Sequence, residues 1–160
     1  MKLLPLAGAS AAAVALLIAG TGTANAYTLE PTGESSGSQR EGNAVVGICG
    51  VHYRIAVDYN PENPGHVTLQ LQPTNSFGPG ADIPGGCDGW VDVRFTNYDN
   101  LPASRWWPYQ FSQVHADRNG GPTTSVDLPT GSGRVFVTVV GTNHWLVPEG
   151  SVYGAFYQVP

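Results

Sequence analysis

Residues Cys49–Tyr59 read Cys-Gly-Val-His-Tyr-Arg-Ile-Ala-Val-Asp-Tyr, and this stretch decides the fold. From Val51 onward, Val51, Tyr53, Ile55, Val57 and Tyr59 fall on one side of a period of two. His52, Arg54, Ala56 and Asp58 fall on the other. β-Branched and aromatic residues at that period mark a strand with one buried face. Cys49 stands just before the alternation, and the only other cysteine, Cys87, stands before the next strong strand. The segment therefore supplies a core face and one end of a covalent staple.

Outward from this strand the pattern repeats. Upstream, residues 43–48 carry Val45, Val46 and Ile48 as a first short strand, with Gly47 and Gly50 marking a bend. Downstream, Asn60-Pro61-Glu62-Asn63-Pro64-Gly65 is turn chemistry, closing a hairpin into a strand with Val67, Leu69 and Leu71. The glycine-bearing loop over 73–89 is long, and a disulfide at Cys87 is the means of ordering it. Residues 90–96, 109–116 and 123–128 read as further strands, with a positive-φ turn signal at Asn119-Gly120-Gly121. Residues 135–140 are apolar on both faces, which predicts a central strand covered above and below. Residues 144–147 and 151–159 are expected to pair across Pro148-Glu149-Gly150. No segment has a helical period. The expected fold is all-β: an antiparallel β-sandwich of about eight short strands, immunoglobulin-like or related, with one disulfide. The antibody spacing of Cys, Trp and Cys is absent, because Trp90 follows both cysteines.

The first 26 residues read as a signal peptide. Lys2 gives a positive start, residues 3–19 are almost wholly apolar, and Ala24-Asn25-Ala26 is a small-x-small cleavage site. The expected product is secreted and begins at Tyr27. Residues 27–42 are polar and aperiodic and read as a flexible lead-in. Residues 43–160 form a single domain, long enough for a real core. Export to an oxidising compartment with two cysteines predicts a Cys49–Cys87 disulfide.

Removing residues 1–26 removes the only lysine, leaving six arginines against twelve carboxylates. That balance argues against nucleic acid and anionic membranes as partners. No span follows the signal segment.

No motif specifies a reaction. Gly33-Glu34-Ser35-Ser36-Gly37 matches G-x-S-x-G by letter but lacks the strand and helix that force the serine out at an elbow. The four histidines do not fall at metal-ligand spacing. His115 and Asp117 could lie on one face of a strand, and the bland reading is a surface histidine beside a turn. Residues 58–62 begin like a calcium loop and lack its glycine and closing glutamate. No metal or cofactor is expected.

The aromatic loop carries the strongest signal. Arg105, Trp106, Trp107 and Tyr109 put three large rings and a cation within five residues, with Pro102 and Pro108 restricting the segment. Adjacent tryptophans in extended backbone point opposite ways, so one ring is left for solvent or a partner. The leading expectation is a non-catalytic secreted protein that binds a protein or a glycan through this end loop. The alternatives are an inhibitor of a secreted hydrolase, with Arg105 on a preorganised loop, and a small secreted hydrolase using loop carboxylates or His115.

Overall fold

The computed structural model describes residues 26–36, 40–100, 109–143 and 147–160, with backbone alone at 33–36 and 109. The strands are β1 (Tyr27–Thr28), β2 (Gly33–Ser36), β3 (Glu41–Val46), β4 (Cys49–Tyr59), β5 (Val67–Phe77), β6 (Cys87–Asn97), β7 (Tyr109–Ala116), β8 (Thr124–Leu128), β9 (Gly133–Thr142) and β10 (Pro148–Val159). The only helical element among the described residues is a 3₁₀ turn at Pro79–Asp82. No helix there is long and apolar enough to cross a membrane.

Every ladder is antiparallel, and the strands follow one path, β7-β6-β9-β10-β3-β4-β5-β8. This confirms an all-β antiparallel fold. The path is that of a nearly closed barrel rather than of the two separate sheets of a sandwich. The weakest link within it is β3 to β10, which meet at one residue pair, Ala44 opposite Gly150. Small residues are needed there, since a Cβ on Gly150 would come within 2.9 Å of the Gly141 Cα.

The period of two becomes the inside and outside of the barrel. Val51, Tyr53, Ile55, Val57 and Tyr59 are all buried, as are Val67, Leu69 and Leu71 on β5 and Val91, Val93 and Phe95 on β6. Val135, Val137 and Val139 of β9 and Tyr153, Ala155, Tyr157 and Val159 of β10 complete the lining. Tyr53, Tyr59, Tyr153 and Tyr157 sit in this interior. The Tyr153 and Tyr157 hydroxyls meet at 2.8 Å. The Tyr53 hydroxyl lies near Ser151 without a hydrogen bond of normal geometry, and burial pushes its pKa well up.

The disulfide is present, joining Cys49 to Cys87 with Cα atoms 5.6 Å apart. It ties the start of β4 to the start of β6. The 3₁₀ turn between β5 and β6 docks beside it, with the Gly80 N–H donating to the Ile48 carbonyl at 3.0 Å.

Three expectations are revised. Residues 27–42, read as a flexible lead-in, contribute paired backbone. β1 pairs with the far end of β4, and β2 pairs with β10. After β1, Leu29 N–H donates to Val57 O, and ahead of β3, Ile55 N–H donates to Arg40 O, both at 2.7 Å. Backbone pairing to an open strand edge requires no side-chain periodicity, so composition alone does not reveal it. Next, the turn expected at 148–150 is part of β10. The chain reverses earlier, where Asn143 N–H donates to Val147 O at 2.9 Å, and Pro148 takes the first strand position, where its missing N–H costs least. Finally, β9 is central but not covered on both sides: Phe136 and Val140 on its outer face are only half-buried. Residues 144–146 of the expected 144–147 strand lie outside the described residues.

The two ends of the path, β7 and β8, face each other without a backbone ladder. Gln110 Nε2 donates to Asp127 O at 2.8 Å, and Thr124 Oγ1 to Gln113 O at 3.1 Å. Both contacts fit one antiparallel register, so side chains bridge the gap where backbone bonds would otherwise close it.

Candidate binding surface

Of the residues singled out in the aromatic loop, Arg105, Trp106 and Trp107 lie outside the described residues. Tyr109 opens β7, its backbone opposite Arg94 of β6. β6 ends at Asn97, and β7 begins opposite Arg94, three residues before that end. Both anchor points lie at one end of the β6–β9–β10 face.

That end carries an aromatic cluster on the outside of the barrel. Register places Thr96, Phe136 and Phe156 in one row across β6, β9 and β10. The Phe136 and Phe156 centroids are 4.7 Å apart, and Tyr98 lies 5.6 Å from Phe156 in a tilted arrangement. The Arg134 guanidinium carbon sits 4.3 Å from the Phe156 centroid, within cation–π range. Tyr98 is 45% exposed.

The corner beside it is held rigid by polar bonds. Tyr98 N–H donates to Arg134 O at 2.8 Å, and Arg134 N–H to Asp99 Oδ2 at 2.7 Å. Asn97 Nδ2 donates to the Thr130 and Ser132 carbonyls, while its Oδ1 accepts from Asp99 and Asn100 N–H. Tyr98 is thus presented on a fixed turn, which lowers the ordering cost of any contact it makes.

Further along the same outer face, Asp92 lies opposite Phe111 on β7 and Val140 on β9. Its Oδ2 accepts from Arg94 Nε at 2.8 Å and from Arg94 Nη2. The carboxylate is 5% exposed, and its Oδ1 has no hydrogen-bond partner, nor has the buried Thr142 Oγ1 one register step away beside Trp90.

On the opposite side of the barrel an open groove of about 850 Å³, of mixed polar and apolar lining, runs over β4 and β5. Arg54, Ala56, Gln70 and Gln72 form its floor, with Arg40, Glu41 and Thr123 at its margins. Ser125 Oγ donates to Gln70 Oε1 at 2.6 Å, fixing that amide. Arg40 pairs with Glu30, and the carboxylate holds the Arg40 pKa up. The longer Arg54–Glu41 contact, 3.4 Å between exposed groups, contributes little.

Among the described residues, His52, His66 and His115 each make one of the following contacts. His115 Nδ1 lies 2.9 Å from Asp88 Oδ1, and His66 Nδ1 2.9 Å from Asp127 Oδ2. His52 stacks on Phe77 at 4.4 Å. Asp117 does not join His115; its Oδ1 accepts from Asn119 N–H in the turn. Among the described residues, no group of three or more His, Cys, Asp or Glu could hold a metal ion. Ser35 lies in β2, which leads into no helix among the described residues.

Sequence reading missed Tyr98, Phe136 and Phe156 as a surface set. The available signal is the apolar outer positions of β9, expected to be covered, and Phe156 on β10. The chain was compared with protein-family models, curated proteins and solved structures, and none matches.

Proposed function

We propose that this is a secreted, non-catalytic binding protein that recognises a protein or a glycan through the aromatic end of its β6–β9–β10 face. The observation supporting this reading is the outer-face cluster of Tyr98, Phe136 and Phe156 with Arg134, located where the Arg105-Trp106-Trp107 loop leaves and re-enters the barrel. Exposed aromatic faces with an adjacent cation suit both sugar stacking and protein hot spots. The rigid turn under Tyr98 supplies preorganisation, and Arg105, Trp106, Trp107 and Tyr109 remain the sequence's candidates for completing the surface. The packed interior of valines, leucines and tyrosines holds the barrel together and does not serve as a ligand container.

The test is calorimetric titration against cell-wall glycans and against proteins secreted by the same source, followed by Tyr98→Ala, Trp106→Ala and Trp107→Ala. The expected outcome is a ligand whose affinity falls at least about tenfold in one or more variants, with melting temperature nearly unchanged for Tyr98→Ala. A ligand bound equally well by all three variants would remove the aromatic end as the site.

A further inference from the structure

We infer that the groove over β4 and β5 is a second binding site, suited to a neutral, hydroxyl-rich chain: an unbranched oligosaccharide. It lies on the side of the barrel away from the aromatic end, and it stands whether or not that end is a site.

Register sets the outward side chains of this side in rows. Glu41, Arg54 and Gln72 share one row across β3, β4 and β5. Ala56, Gln70 and Ser125 share the next across β4, β5 and β8. Ala56 stands between Arg54 and Asp58 on β4, so the groove dips to a methyl group among longer polar side chains. Its volume of about 850 Å³ falls in the range of small-molecule sites. A pyranose ring has the matching shape, with C–H groups on its faces and hydroxyls around its rim.

Charge selects a neutral ligand. Two guanidiniums border the groove, and each has a carboxylate. Arg40 pairs with Glu30, and Arg54 Nε lies 3.4 Å from Glu41 Oε1. The local balance is zero, so neither an anion nor a cation gains from entering. The groups left for a ligand are amides. Ser125 Oγ donates to Gln70 Oε1 at 2.6 Å, which orients that amide and leaves its Nε2 hydrogens for a ligand oxygen. Gln72 is exposed and offers both a carbonyl and an NH₂. The two amides project from one face of β5, about 7 Å apart along the strand. Sugar hydroxyls both donate and accept, and so do these amides together.

The topology disfavours a peptide in this groove. β4 lies between β3 and β5, and β5 between β4 and β8, so no open strand edge underlies it. An extended peptide would find no main-chain partner there, whereas a sugar chain needs only side chains.

The probes are three neutral hexasaccharides, of β-1,4-glucose, α-1,4-glucose and β-1,4-N-acetylglucosamine, with hexagalacturonate as the anionic comparison. Amide chemical-shift titration reads both affinity and location. The expected result is that at least one neutral hexasaccharide shifts the amides of Arg54, Ala56, Gln70 and Gln72, with an affinity that added salt leaves unchanged. Affinity should fall at least about tenfold in Gln72→Ala, which removes an amide, and in Ala56→Trp, which fills the dip. Melting temperatures of both variants should match the native protein, and Tyr98→Ala should bind these sugars normally. Three outcomes would overturn the groove: no shift at those amides with any neutral hexasaccharide, tighter binding of hexagalacturonate than of every neutral probe, or unchanged affinity in both groove variants. Sugar binding lost in Tyr98→Ala and kept in both groove variants would reject the groove while leaving the aromatic end in place.

Discussion

Phe136 on β9 and Phe156 on β10 are direct cross-strand partners on the outside of the barrel, with centroids 4.7 Å apart. The pair replaces the expectation that Phe136 is enclosed. A half-buried ring in an aromatic pair should cost about 1–2 kcal/mol on truncation, from the pair interaction and partial area loss. Leu69, fully buried inside, should cost about 2–5 kcal/mol as Leu69→Ala. Urea midpoints of Phe136→Ala and Leu69→Ala test the ranking, and a larger loss for Phe136→Ala would mean that the outer face is a second core.

Tyr53→Phe should leave stability unchanged or raise it slightly at neutral pH. The hydroxyl is buried without a well-formed hydrogen bond, so removing it relieves a desolvation cost of about 1 kcal/mol. The pH dependence has a definite sign. The folded pKa of Tyr53 is raised above its unfolded value by burial. Its contribution is therefore fully present below the unfolded value of about 10 and is lost as pH rises from there toward the folded value. Alkaline unfolding of Tyr53→Phe should be shifted to higher pH than that of the native chain. Coincident alkaline transitions would contradict this assignment.

Asp92 and Arg94 should respond asymmetrically. Arg94→Ala removes the guanidinium bonded to a carboxylate that is 5% exposed, and stability should fall by at least about 1 kcal/mol. Asp92→Val removes the buried charge and its unpartnered oxygen together and leaves Arg94 half-exposed, so the loss should be smaller. Thermal melts of the two variants decide it; a larger loss for Asp92→Val would show that the carboxylate itself holds the face together.

Reduction of Cys49–Cys87 should destabilise by about 4 kcal/mol in the chain-entropy model. The bond spans 38 positions and anchors both long strands that follow it. Thiol titration of the unfolded, unreduced protein should find none. Two reactive thiols per chain would contradict the bond.

The inner rows of the barrel were legible from the start. Val51 to Tyr59 and Val67 to Leu71 alternate in the sequence and are buried as read, because burial on one face imposes a period of two. Barrel closure was not legible. It depends on which strands become neighbours, and nothing in the apolar pattern of β10 shows that it lies beside β3 and β2. The pairing of residues 27–36 was hidden for a different reason: its bonds are made by backbone, and the side chains carry no record of them. Phe136 shows the remaining ambiguity. An apolar outer residue reads alike whether a second layer covers it or it stands on an open aromatic surface.

The placement of β2 and β3 against β10 has a temporal consequence. β2 and β3, near the start of the described chain, have the last strand as a neighbour, so the contacts joining them span most of the chain. Contacts so distant along the polymer are slow to form, because the intervening loop must close first. A chain emerging amino end first would complete β3–β4 and β4–β5 early as local hairpins, yet β2 and the Ala44 contact of β3 would wait for residues 150–156 before the ring could shut. Until then the polypeptide remains an open ribbon, and the carboxyl-terminal strand is the piece that fastens the ring.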